Sequence, residues 1–106
     1  MENNKGKIPI VFKVAGVSFH KKKVESLSEG DTLTLQRDPD NKYDSNAIKI
    51  LNSKEEMVGF VPKDFNSAIV KKFEKVSKVY TLKVKNIHKW EGPTGLEVEF
   101  SKNNIK

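Results

Sequence analysis

Tyr43 stands in the run RDPDNKYDSNA, residues 37–47, with Asn41 two places before it and Asp44 directly after it. Residues of these types at this spacing suit the recognition of a nucleotide. An aromatic ring held in a polar loop offers a flat face on which a base can stack, worth about 1–3 kcal/mol. The amides and carboxylates beside it can accept from or donate to a base edge or a sugar hydroxyl. A carboxylate repels phosphodiester, so Asp44 fits a generic phosphate cradle poorly and fits a hydroxyl donor well. The free end of a strand supplies such a hydroxyl. The same residues also make turn chemistry. Asp38 precedes Pro39 and is pushed towards an extended conformation, while Asp40, Asn41, Asp44 and Asn46 can each fold back onto nearby backbone N–H groups. On the residues alone, both readings stand.

Other side chains that could do chemistry are few. Lys63 opens the run PKDFNSAIVKKFEKV, where the unpaired N–H groups of a helix start would favour phosphate. Phe19 and His20 are followed at once by Lys21, Lys22 and Lys23, which puts rings and cations side by side. His20 and His88 are the only histidines and there is no cysteine, so neither a thiolate site nor a metal-ligand spacing is present, and no metal or cofactor is expected. Ser18, His20 and Asp44 can be drawn as a triad, but no strand–turn–helix context surrounds Ser18. A phosphate-binding P-loop is also missing. The chain is therefore not expected to be an enzyme. Trp90, beside EGPTG, reads as a half-buried ring closing a hairpin, with a base platform as the alternative.

These groups need elements to position them. IPIVFKVAGV, residues 8–17, is β-branched and apolar and predicts a first strand, with Pro9 near its start. Phe19, Val24 and Leu27 could give a short helix a buried stripe, stopped at Gly30. TLTLQR and AIKIL alternate as half-buried strands, and MVGFV is a further short one. The run 62–76 predicts the clearest helix, with Phe65, Ile69, Phe73 and Val76 on one face. VYTLKVKNIHKW and LEVEFS predict a strand pair joined by Gly and Pro. Six strands and one or two short helices give a mainly β class, a small closed or nearly closed six-stranded barrel with helices at its ends.

At 106 residues this is one domain, expected over 8–101, with flexible ends at 1–7 and 102–106. The net charge of +6 points towards a polyanionic partner. Yet Arg37 is the only arginine, and a lysine-, Asn- and Ile-rich composition also fits an AT-rich genome. The first residues lack the apolar core of a signal peptide and no run approaches a membrane span, so a soluble, cytoplasmic monomer is expected.

The run LQRDPDNKYDSNAIKI, preceded by VAGVSFH and SEGDTLTL and followed by MVGFVPKDF, resembles a HIRAN domain. The family pattern is a strand ending in a Gly and an aromatic pair, then a Gly-turn into a strand. An Arg-acidic-Pro-x-Asn-x-Tyr-Asp-x-Asn-Ala loop follows, and then a strand ending Val/Ile-Gly-x-hydrophobic-Pro-basic. The resemblance covers residues 12 to about 76. It implies a small β-barrel related to the OB fold that binds single-stranded DNA at a 3′-hydroxyl end. It implies that Tyr43 stacks on a base, Asp44 contacts the terminal hydroxyl, Asn41 shapes the pocket or touches the nucleotide and Lys63 meets phosphate, with Arg37 opening the loop motif. Two departures stand out. Ser18, Phe19 and His20 replace an Arg and two Tyr of end-binding members, leaving Lys21 and its neighbours to supply charge without the arginine's forked geometry. Phe60 stands where those members carry a histidine. The family occurs in fork-remodelling translocases and as free-standing proteins, so DNA repair is the implied setting, with a helicase or nuclease as a possible partner. The rival reading is a non-catalytic protein-interaction module that presents a sheet edge or groove to such an enzyme.

Overall fold

The alternation in TLTLQR and AIKIL becomes two neighbouring strands of one six-stranded antiparallel sheet in the computed structural model, which describes residues 7–88 and 94–103. The strands are β1 (Val11–Lys13), β2 (Thr32–Arg37), β3 (Ile48–Leu51), β4 (Met57–Phe60), β5 (Tyr80–His88) and β6 (Gly95–Lys102). Their order across the sheet is β1-β6-β5-β2-β3-β4. A single 3-10 turn (Val17–His20) leads into α1 (Lys21–Glu25), and α2 (Asn66–Lys71) and α3 (Phe73–Val79) lie between β4 and β5. Ile48, Ile50, Val58, Ile69, Leu96 and Val98 are fully buried and fill the interior between the curled sheet and the helices.

The sheet does not close into a barrel by a continuous ladder. Beyond β1, Val14 still donates to Leu96 of β6 at 2.9 Å, and the next residue crosses to the other edge of the sheet. There Ala15 and Phe60 exchange both backbone hydrogen bonds, at 2.8 and 2.9 Å, as one isolated bridge. The expected barrel is thus an OB-like sheet whose two edges meet at one point. The first strand is correspondingly shorter than the run 8–17, because its C-terminal half leaves β6 to make this crossing.

The helices differ from expectation in two ways. The run 62–76 is two helices, broken at Lys72 with φ −125° and ψ 28°. The apolar face survives the break: Phe65, Ile69 and Val76 are buried, and Phe73 packs against them. With the chain turned at Lys72, α3 lies on β5. Near the N-terminus, Val24 and Leu27 are buried as expected, but Phe19 is 85% exposed, so the proposed stripe lacks its first member. At the C-terminus β6 runs to Lys102, and the Asn103 side chain donates to the Lys78 carbonyl at 2.8 Å, slightly past the expected domain end. Trp90, with the Glu91–Pro93 part of the hairpin turn, lies outside the described residues.

The β3–β4 turn is built around Asn52, whose Oδ1 accepts the Lys54 and Glu56 N–H groups, both at 2.9 Å. Glu55 there is held at φ 62°, a left-handed conformation that a Cβ disfavours. Glu55→Gly is expected to stabilise the fold by about 0.5–1 kcal/mol, the relief of that strain less the entropy of glycine. An unchanged or lower urea midpoint at constant m-value would contradict it.

Candidate functional site

The loop between β2 and β3 is held by its own side chains. Asp38 N–H donates to the Ala47 carbonyl at 2.9 Å, which closes the loop at its base. Asn41 Nδ2 donates to Asp38 Oδ2 at 3.0 Å, and Asn41 Oδ1 accepts the N–H groups of Tyr43 and Asp44 at 2.9 and 3.1 Å. Asp44 Oδ1 accepts Asn46 N–H at 2.9 Å. Asn41 and Asp44 therefore make the Asx turns that their types foretold. The result is a fixed frame that leaves Tyr43 outside it and 90% exposed.

One contact joins this loop to a distant element. Asn66, only 4% exposed at the start of α2, donates from Nδ2 to Asp44 Oδ2 at 2.8 Å. Both Asp44 oxygens are then fixed by protein donors, and each has a second lone pair beyond the one engaged. The Asn66 amide holds the Asp44 carboxyl below its ordinary range. The Asn46 N–H and the nearby Lys63 charge act in the same direction, and partial burial opposes them. This carboxylate stays ionised and accepts only.

A concavity of about 290 Å³ brings five of the expected residues together: Asn41, Tyr43, Asp44, Phe60 and Lys63 all line it. Asn66, Ala15, Ala47 and Val61 complete its wall. Lys63 is not at a helix start, as its place after Pro62 suggested; α2 begins three residues later, and Lys63 sits in the preceding turn. Its attraction for phosphate would rest on its own charge and not on helix N–H groups. Phe19, His20 and Lys21 line a second concavity of about 300 Å³, with Ser18, Lys22 and Lys23. Lys23 also reaches Glu56 at 3.9 Å, so one of the three lysines is partly occupied by the protein. Arg37, exposed at the end of β2, lines neither.

Phe60 lies in the first hollow on the side of the segment that leads to the second. Its ring lies 3.8 Å from where a Cβ on Gly16 would stand, just before the 3-10 turn that carries Phe19. The residue that sequence reasoning missed is Asn66. Its signal is an asparagine, a weak helix former, inside a run otherwise patterned as helix. Among the described residues no group of three His, Asp or Glu side chains is placed to hold a metal, and no helix is long and apolar enough to cross a membrane.

Comparison with known proteins bears on the family and the fold. A family model described as HIRAN domain matches residues 9–101. The crystal structure of the HIRAN domain of human HLTF superposes with a TM-score of 0.64 at 22% identity, covering 85% of this chain and 70% of that one. The NMR structure of the HLTF HIRAN domain in its DNA-bound conformation superposes with a TM-score of 0.55 at 25% identity, covering 85% and 71%. A curated relative, the Fanconi-associated nuclease 1 homolog of Arabidopsis thaliana, is 39% identical over 46 residues, which are 43% of this chain and 5% of that protein's length.

Proposed function

Because the chain belongs to the HIRAN domain family, we propose that it is a non-catalytic module, one domain over 8–101, that binds single-stranded DNA and receives a 3′-hydroxyl end between Tyr43 and Asp44. The observation that carries this reading is the Asp44 carboxylate, fixed at both oxygens, beside Tyr43, which is 90% exposed. A carboxylate that can only accept selects a donor, and the terminal sugar of a strand offers one in its 3′-hydroxyl. The exposed Tyr43 face takes the terminal base, Lys63 meets a phosphate, and Asn41 keeps the frame rigid. A neighbouring base stacks on Phe19, with His20 and Lys21 beside it and Phe60 separating the two positions. Arg37 acts at longer range through its charge. The similar HLTF HIRAN domain, solved in a DNA-bound conformation, supports DNA as the ligand class. The working setting would be DNA repair in the cytoplasm, with a helicase or nuclease using the captured end.

The test is fluorescence anisotropy on a short strand with a 5′ dye and either a 3′-hydroxyl or a 3′-phosphate, at moderate and physiological salt. A preference for the hydroxyl is expected, along with an affinity that falls as salt rises. Equal affinity for the two ends would leave a general strand binder, and absence of binding to both would overturn the reading. Tyr43→Ala is expected to weaken binding about tenfold, at the lower end of what one stacked base contributes, without moving the melting temperature. Full-strength binding by this variant would remove Tyr43 from the site.

A further inference from the structure

The face formed by Ile8–Ile10, α3 and the ends of β5 and β6 carries a trough that shares no residue with either hollow described above. Ile8, Ile10, Val76, Tyr80 and Phe100 line a cavity of about 190 Å³. Val76, Tyr80 and Phe100 also line a second cavity of about 210 Å³ that continues to Leu33 and Leu35. The second lies where β2 parts from β5: the two strands pair only at Thr32↔Lys83 and Leu33↔Leu82, after which β2 pairs with β3 alone. The two cavities share Val76, Tyr80 and Phe100 and so lie side by side between strands and helix, the first mainly apolar and the second also lined by Thr32, Thr34, Ser77 and Thr81.

Its floor is preformed. Tyr80 meets Phe100 edge-on at 6.1 Å, Phe100 rests on Phe12 at 5.8 Å, and Phe12 meets Phe65 edge-to-face at 5.1 Å, so the surface rings are anchored through the core. Its rim is open, with Ile10 69% exposed and Tyr80 38% exposed. An isoleucine this exposed beside a preformed, mainly apolar cavity has a cost in water that a partner would remove. The charge on the trough has one sign. Lys72 and Lys75 line it, and no carboxylate is among its described lining residues.

We propose that this trough docks an extended, acidic peptide segment of a partner protein, its apolar side chains lying along Ile10, Tyr80 and Phe100 and its carboxylates meeting Lys72 and Lys75. An apolar centre with a charged rim divides the work in the usual way for protein contacts: burial holds the segment, and charge selects and steers it. Nucleic acid suits the trough poorly. Its walls mix aliphatic and hydroxyl side chains with two lysines, and its two rings meet each other edge-on, with Tyr80 38% exposed against 90% for Tyr43, so it offers less open ring face than the loop does. Docking here leaves the DNA site unoccupied, so one chain could hold a strand end and a partner at the same time.

Panning a displayed library of random twelve-residue peptides against the full chain tests the proposal. Enriched peptides should be acidic with two or more large apolar residues. Labelled copies should lose at least tenfold in affinity with Ile10→Ser and with the Lys72→Glu/Lys75→Glu double variant. All these positions are exposed, so the variants should fold. Binding should be unchanged by Tyr43→Ala and should not be displaced by single-stranded DNA. No enrichment, enrichment of basic peptides, or loss of binding in Tyr43→Ala would each overturn it.

Discussion

Gly59→Ala is expected to cost about 3–5 kcal/mol, a large share of the roughly 5–15 kcal/mol that holds a typical domain together. A Cβ at this position would stand 2.4 Å from Val14 Cγ1 and 2.6 Å from the Ala15 carbonyl oxygen. The first neighbour is a stiff β-branched side chain and the second is backbone, so neither can swing aside. Relief requires the 14–15 segment to lift, and that segment carries the Ala15–Phe60 bridge that joins the two edges of the sheet. The variant thus adds overpacking, about 1–3 kcal/mol, to the loss of two backbone hydrogen bonds at about 1 kcal/mol each. For a chain of this size the melting temperature should fall by roughly 15 °C or more. Val14→Ala in the same chain removes the first clash and leaves the second, so it should restore only part of the loss. A Gly59→Ala protein that melts with the wild type would mean that the crossing of residues 14–15 over β4 is wrong. Because Ala15 and Phe60 both line the Tyr43 hollow, the same variant should also weaken strand binding in whatever fraction stays folded.

That glycine shows what a linear reading can and cannot reach. Local rules found β2, β3 and β4, because alternation is a property of adjacent residues, and they found the Asx turns of residues 38–47, because a side chain folding back two or three places needs no distant partner. The family pattern contains Gly59 but does not say why it must be glycine. The reason is a backbone passing over it from 44 positions earlier, and no periodicity carries that contact. The same holds for the break at Lys72. The apolar stripe from Phe65 to Val76 is compatible with one straight helix or two short ones, and packing on β5 decides between them. Phe19 is the converse case. Its type allowed either a core stripe or an exposed stacking face, and the 3-10 turn that follows the closing bridge resolves the choice towards exposure.

The contact least visible in the chain, Asn66 to Asp44 across 22 positions, has the most specific chemical consequence. Asn66→Ala is expected to cost about 1.5–3 kcal/mol at neutral pH, the range for a hydrogen bond to a charged group. The loss should depend on pH in a way that identifies its cause. The Asp44 carboxyl titrates below the ordinary aspartate value of about 3.9 when folded, so the unfolded chain binds more protons between the two. The stabilisation is therefore fully present above about pH 4 and is lost as pH falls through the folded pKa. The gap between wild type and Asn66→Ala should be constant from pH 5 to 7 and narrow below pH 4. Asn66→Asp should behave in the opposite sense: two carboxylates in contact raise a pKa, so the variant is weakest at neutral pH and recovers as one group protonates. Binding supplies the second readout. If Asn66 aims Asp44 at a terminal hydroxyl, Asn66→Ala should reduce the preference for 3′-hydroxyl over 3′-phosphate strands more than it reduces affinity for either. Equal weakening of both strands would make Asn66 a brace for the fold alone. A pH-independent stability gap would mean that Asp44 does not depend on it.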